Sequence, residues 1–116
     1  MIRREVRARM VELGFSLVDQ TKMITAASEL TRNAINYGGG GFVDVETLRA
    51  GGRVGLRLTF RDEGPGIPDL EAALTDGFTT GNGLGLGLGG SQRLVNEFEI
   101  DSAPGSGTTV TITRWR

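Results

Sequence analysis

The chain has 116 residues, enough for one domain with a single hydrophobic core. It contains neither cysteine nor histidine, which excludes a disulfide framework, a thiolate metal site and a phosphohistidine acceptor within the chain. Its 13 basic residues nearly balance its 14 acidic ones, which argues against strong nonspecific nucleic-acid binding. Its apolar runs are too short to span a bilayer, and the sequence predicts a cytoplasmic protein.

The first part of the chain predicts two helices joined at Gly14. In the first helix, apolar side chains recur at helical spacing: Ile2, Val6, Met10 and Leu13. Ser16, followed three residues later by Asp19, is typical of a capping box that opens the second helix. A second apolar stripe runs along that helix: Met23, Ala27, Leu30, Ala34 and Tyr37. The glycines at 38–41 are expected to end it.

Two strands joined by a hairpin loop are predicted after these glycines. Residues 42–48 alternate roughly between apolar and polar side chains, and residues 54–60 alternate cleanly. The glycine-containing segment 49–53 between them is typical of a hairpin loop.

A less regular segment follows the second strand. Residues 69–74 fit a short helix, and residues 77–90 are expected to be loop. A further helix is predicted over 91–97. Three apolar side chains in and after it are expected to face inward: Leu94, Val95 and Phe98.

A final hairpin completes the predicted fold. Its strands are expected at 99–102 and 108–112, around a turn at 104–107. The order of elements predicts a single α+β domain over 1–116, a two-layer α/β sandwich with helices on one face of a mostly antiparallel mixed sheet.

A polar pair on the second predicted helix is the first candidate for chemistry. Glu29 and Asn33 are four residues apart and therefore share a helix face, with Asn36 nearby. This row borders the apolar stripe, as expected at the edge of a pocket, and its oxygen atoms suit a base and a magnesium ligand. Such pairs are also common on exposed helix faces, and spacing alone favours that interpretation.

Two glycine-containing loops are the other candidates. Asp62 ends the second strand and is followed by Gly64 and Gly66, so its carboxylate could accept hydrogen bonds from an exocyclic amine beside a bare backbone. Asp, Gly and Pro also form ordinary turns. The run 81–90 alternates glycine with leucine and leads into a helix, where bare N–H groups can cradle phosphate.

Together these elements resemble the Bergerat-fold ATPases, the superfamily that includes DNA gyrase, histidine kinases and MutL. Residues 29–34 match its N box, 62–67 its first glycine box and 83–87 its second. Gly107 with Thr108 matches its final threonine motif. The resemblance extends from about Val18 to the C-terminus.

Within the superfamily, the chain is similar to the RsbT-type serine/threonine kinases of bacterial partner-switching modules. The similarity rests on residues 26–33, 62–69, 77–80 and 83–94. It implies an ATP-dependent protein kinase that phosphorylates STAS-domain proteins of the stressosome. It also implies that the kinase, when released, binds and activates a PP2C-type phosphatase in sigma-factor regulation.

The resemblance also implies roles for individual residues. Glu29 would be the catalytic base, and Asn33 would supply an oxygen to Mg²⁺. Asp62 would accept from the adenine amine, supported by Thr108 through a water. The remaining nucleotide-binding residues belong to the two glycine boxes: Gly64, Gly66, Gly83, Leu84, Gly85, Leu86 and Gly87.

Two other functions of the same fold stay open at the level of sequence: an anti-sigma factor that holds a sigma factor, and an ATP-binding module without transfer activity. Lys22, Arg32 and Arg93 are candidate cations for the phosphates, and a solvated surface charge explains each of them as well. Family members begin with a strand before the first helix. This sequence begins within that helix, so the leading strand is expected to be missing and a sheet edge to be exposed.

Overall fold

The computed structural model describes residues 2–38, 41–64, 87–102, 105 and 107–116, with the backbone alone at 33–38 and 87–89. Within these residues lie three helices and four strands: α1 (Ile2–Glu12), α2 (Leu17–Gly38), β1 (Gly41–Ala50), β2 (Arg53–Asp62), α3 (Gly87–Arg93), β3 (Glu97–Ser102) and β4 (Thr108–Trp115). The helix predicted over 69–74 lies outside the described residues. None of the helices described is long and apolar enough to cross a membrane.

The four strands form one sheet in the order β1-β2-β4-β3, and each neighbouring pair is antiparallel. Gly51 and Gly52, with φ of 57° and 82°, make the predicted hairpin turn between β1 and β2. Helix α2 packs on the sheet, and both α1 and α3 pack against α2. The predicted α+β architecture, with helices layered on a mostly antiparallel sheet, is confirmed.

The hydrophobic core lies between α2 and the sheet. It consists of apolar side chains from both layers: Val6, Met10, Phe15, Met23, Ile24, Ala26, Ala27, Leu30, Leu56, Leu58, Phe60, Val110 and Ile112. The apolar stripe predicted on α2 is therefore confirmed at three of its positions, while the side chains of Ala34 and Tyr37 lie outside the described part. The side chains predicted to face inward near α3 also pack against the core: Leu94, Val95 and Phe98.

Local signals set the connection between α1 and α2 as the sequence predicts. Gly14 has a φ of 80°, a left-handed conformation that glycine adopts without steric cost and that ends α1. The Ser16 hydroxyl accepts a hydrogen bond from the Asp19 backbone N–H at 3.1 Å, which caps the first turn of α2.

The structure corrects the predicted limits of the third helix. Residues 87–90, expected to be loop, form the first turn of α3, and Glu97, expected to end the helix, begins β3. Glycine is a poor helix former, but α3 packs against α2 and buries Ser91 completely, and such packing outweighs propensity. The Asn96 backbone N–H donates to the Thr113 carbonyl at 2.9 Å, so the chain enters the sheet directly after α3.

An ion pair fastens β4 to α2. The Arg114 guanidinium donates to Asp19 Oδ1 from Nη2 at 2.7 Å and from Nε at 3.1 Å, and its Nη1 donates to the Leu94 carbonyl at 2.9 Å. Because both charged side chains are largely shielded from solvent, with exposed fractions of 14% for Arg114 and 23% for Asp19, their interaction is weakly screened.

This ion pair predicts an acid-dependent contribution to stability. Hydrogen bonding to Arg114 is the main cause that holds the pKa of Asp19 below its ordinary 3.8. A carboxyl whose pKa is lower in the folded state stabilises the fold above its unfolded pKa, and this stabilisation is lost as pH falls through the folded pKa. We expect Asp19→Asn to reduce the free energy of unfolding by about 1–3 kcal/mol at pH 7.

Urea denaturation of both proteins from pH 7 down to the acid range measures this difference. The difference in the free energy of unfolding between the wild type and Asp19→Asn should narrow as pH falls below about 4, where Asp19 begins to be protonated in the unfolded wild-type chain. A gap that stays constant over this range would contradict the role of the Asp19 charge.

Candidate functional site

One end of the sheet brings together residues from all four described strands. Asp62, the last residue of β2, is the register partner of Gly41 in β1 and of Thr108 in β4. Thr108 is in turn the partner of Ser102 in β3. These four residues form a row across the end of the sheet, which we call the strand-end row.

The strand-end row lies on the face of the sheet that carries the helices. Side chains alternate between faces along a strand, so Asp62 shares a face with Phe60, two residues earlier. Phe60 is part of the hydrophobic core that packs under α2. The strand-end row therefore lies on the same side of the sheet as α2, the helix that carries Glu29 and Asn33.

Hydrogen bonds fix the polar groups of the row. The Gly64 backbone N–H donates to Asp62 Oδ1 at 2.9 Å, which holds the carboxylate where β2 ends. The Ser102 and Thr108 hydroxyls lie 2.9 Å apart, and Ser102 Oγ also donates to the Gly107 carbonyl at 3.1 Å. A carboxylate has about four acceptor positions, and the bond from Gly64 occupies only one of those of Asp62.

Two glycines allow the backbone segments of the row to approach each other. Gly107 has a φ of 76°, and a Cβ at this position would collide with the carbonyl oxygen of Asp62. A Cβ at Gly41 would likewise collide with the carbonyl oxygen of Arg61. Because these neighbours are backbone atoms of a paired strand, they have little freedom to move aside, and only glycine fits.

The predicted catalytic carboxylate lies in the helix layer. Glu29 is only 8% exposed, which is uncommon for an acidic side chain. Its Oε1 lies 3.2 Å from Nη1 of Arg32, one helical turn further along α2. This arrangement provides a nearly buried carboxylate whose charge is balanced by a partly exposed guanidinium.

The remaining predicted site residues are placed only in part. Asn33 lies on α2 one turn after Glu29, and its side chain is outside the description. Gly87 is the first residue of α3 rather than part of a loop. The other predicted glycine-box residues lie outside the described residues and remain predictions: Gly66, Gly83, Leu84, Gly85 and Leu86.

A polar hollow of about 310 Å³ on the opposite face of the sheet is a poor alternative site. It is lined by charged and threonine side chains from the four strands, among them Glu46 and Arg57, which are register partners. Ligand pockets are usually lined mainly by apolar side chains with a few polar groups, whereas this lining is polar throughout. The hollow is better explained as the solvated face of the sheet.

Two residues of the strand-end row and one contact of a residue already considered were missed by sequence reasoning. Ser102 and Gly41 join the site only through strand register, which counting outward from the hairpin turns would have suggested. The pairing of Arg32 with Glu29 could have been found from their spacing of three residues on one helix.

Comparison with known proteins agrees with the sequence motifs. Residues 18–115 match the profile of the family described as histidine kinase-, DNA gyrase B-, and HSP90-like ATPase. The chain is 45% identical over 104 residues to the serine/threonine-protein kinase RsbT of Bacillus subtilis (strain 168), covering 90% of this chain and 78% of RsbT. It is 36% identical over 116 residues to an anti-sigma F factor of Bacillus licheniformis, covering 94% of this chain and 78% of that protein.

Solved structures show the same fold. The crystal structure of the RsbU and RsbW domains of a Mycobacterium tuberculosis protein matches 99% of this chain with a TM-score of 0.62 and 26% identity. This chain spans only 28% of that longer chain. A mycobacterial sensor histidine kinase, MprB, matches 83% of this chain and 71% of its own with a TM-score of 0.61 and 24% identity, which supports the fold alone.

Proposed function

Because the chain belongs to the family of histidine kinase-, DNA gyrase B- and HSP90-like ATPases, we propose that it binds magnesium-ATP beside the strand-end row and transfers phosphate to a STAS-domain protein. It is a serine/threonine protein kinase, as the family match and its 45% identity with RsbT indicate. The observation that carries the choice of site is the register pairing of Asp62 with Thr108 beside Gly107.

The strand-end row has the chemistry that an adenine base requires. The Asp62 carboxylate, oriented by the Gly64 N–H, accepts from the exocyclic amine of the base. Thr108 lies beside Asp62 and contributes a hydroxyl to the same region, and Gly64 and Gly66 allow the base to approach the backbone. These groups give the site its preference for adenine.

The phosphates and the magnesium ion are assigned to the helix layer and the second glycine box. Asn33 would supply an oxygen ligand to Mg²⁺. Residues 83–86, which precede α3 in the chain, would contact the phosphates through their bare N–H groups. When bound, Mg²⁺ neutralises the charge that develops on the transferred phosphoryl group.

Glu29 is assigned as the catalytic base for the transfer. Its carboxylate takes the proton from an incoming serine or threonine hydroxyl while that oxygen forms a bond to the γ-phosphorus and ADP leaves. Its burial in α2 suits this role, because a desolvated carboxylate held in one orientation needs little reorganisation at the moment of transfer.

Asp62→Asn tests the adenine assignment. We expect this change to weaken ATP binding by about 1.5–3 kcal/mol, about ten- to hundred-fold, because a neutral amide oxygen replaces a charged acceptor. Isothermal calorimetry with ATP and Mg²⁺ measures the effect. Asp44→Asn, the same change at an exposed position of β1 on the opposite face, is the matched control and should bind as the wild type does.

Phosphotransfer to candidate STAS-domain proteins tests the function itself. The purified kinase is incubated with labelled ATP and each partner, and the product is mapped by mass spectrometry. Acid-stable phosphate on a serine or threonine of the partner supports the proposal. Absence of transfer to every STAS-domain partner by a protein that binds magnesium-ATP would contradict it.

An anti-sigma factor is the second candidate function, favoured by the 36% identity with the Bacillus licheniformis anti-sigma F factor over 94% of this chain. ATP-dependent capture of a sigma factor without transfer to a STAS-domain protein would support it.

A phosphatase is the proposed target of the kinase after transfer. Release of the kinase from its phosphorylated STAS-domain partner leaves it able to activate a PP2C-type phosphatase. Phosphatase assays with and without added kinase measure this step.

A further inference from the structure

We propose that Arg32 is a positioning residue for the transfer reaction, acting through the carboxylate of Glu29. The inference rests on the proposed function, because it concerns the base in that reaction. It starts from the contact of 3.2 Å between Arg32 Nη1 and Glu29 Oε1, two charged atoms on consecutive turns of α2.

The two partners differ in burial, and this difference assigns their roles. The Glu29 side chain is 10% exposed, whereas the Arg32 side chain is 48% exposed. A buried carboxylate without a nearby positive charge is destabilised in its ionised form. Arg32 supplies that charge from the partly exposed side of the helix, 3.2 Å from the carboxylate oxygen, so it holds the Glu29 side chain in one position.

The contact also leaves the carboxylate able to react. Arg32 approaches Oε1 through one nitrogen, and a carboxylate has a second oxygen with its own lone pairs. Oε2 is the atom that can accept the proton of the incoming hydroxyl while Oε1 stays anchored. A guanidinium is planar and stiff, so it restrains the orientation of the carboxylate as well as its charge.

Position on α2 argues for a role through Glu29 rather than a purely structural one. Exposed ion pairs at this spacing contribute only about 0.2–0.5 kcal/mol to a helix, too little to explain a nearly buried carboxylate. Arg32 also lies directly before Asn33, the predicted metal ligand, in the sequence of α2. Loss of Arg32 is therefore expected to alter catalysis more than stability.

Kinetics of three variants test the inference. Arg32→Gln is expected to lower kcat for phosphorylation of the partner by about ten- to hundred-fold, because a misoriented group costs rate rather than binding. The KM for ATP should stay near the wild-type value. Arg32→Lys should recover much of the rate, and Arg49→Gln, which removes an exposed arginine at the far end of the sheet, should leave kcat unchanged.

A double mutant separates action through Glu29 from direct action on the nucleotide. If Arg32 acts through Glu29, adding Arg32→Gln to Glu29→Gln should produce no further loss of rate. Multiplied losses, or a raised KM for ATP in Arg32→Gln alone, would show that Arg32 contacts the phosphates and would overturn the inference.

Urea denaturation of the wild type, Arg32→Gln, Glu29→Gln and the double mutant gives a test that needs no transfer activity. Arg32→Gln should destabilise the wild type more than it destabilises Glu29→Gln, because the ion pair is already absent from the latter. Equal effects in both backgrounds would overturn the inference even if the protein transferred no phosphate. A wild type that binds ATP without transfer, but shows the coupling, would contradict the proposed function alone.

Discussion

Glu29→Gln is expected to reduce phosphoryl transfer by about 10²–10⁴-fold while leaving the affinity for magnesium-ATP nearly intact. The amide has the shape of the carboxylate but cannot accept the proton of the attacking hydroxyl. Single-turnover transfer of labelled phosphate to a STAS-domain partner measures the rate, and calorimetry measures the affinity.

Two comparisons sharpen this prediction. Glu46→Gln, on the opposite face of the sheet, makes the same chemical change away from the site and should transfer at the wild-type rate. Asn33→Ala should weaken both transfer and magnesium-dependent binding, because it removes a proposed metal ligand. A Glu29→Gln protein with the full transfer rate would show that another group is the base.

Gly107→Ala is expected to have the largest effect on stability and to weaken nucleotide binding with it. An alanine at a φ of 76° costs about 1–2 kcal/mol. Its Cβ would also collide with the Asp62 carbonyl oxygen, and overpacking of this kind adds about 1–3 kcal/mol. Relief of the collision requires β2 and β4 to separate where Asp62 and Thr108 are paired.

Gly105→Ala is the matched control for this variant. Gly105 has almost the same backbone conformation, with a φ of 79°, but a Cβ there meets no atom of the described residues within 4 Å. The control should therefore lose only the conformational part of the stability and should bind ATP normally. Urea denaturation measures the stability of both variants, and calorimetry measures their affinity for ATP. Equal losses of stability in the two variants would show that the collision with the Asp62 carbonyl oxygen is unimportant.

The sequence by itself determined the elements whose signals are local. The Gly14 stop, the Ser16 cap and the hairpin at Gly51 and Gly52 depend on the conformations and hydrogen bonds of adjacent residues, and the structure contains all three. The α+β class followed from the order of these elements. The motifs around Glu29 and Asp62 also identified the ATPase family, because that family uses these residue types in this order.

Tertiary structure decided what depends on contacts between distant segments. The glycines at 87–90 have weak helix propensity, and only packing of α3 against α2 makes them helical. Strand register places Ser102 and Gly41 in the strand-end row and makes glycine necessary at position 107. The helical state of residues 87–90 and the collision at position 107 depend on which atoms of distant segments meet, and no local sequence pattern determines those contacts.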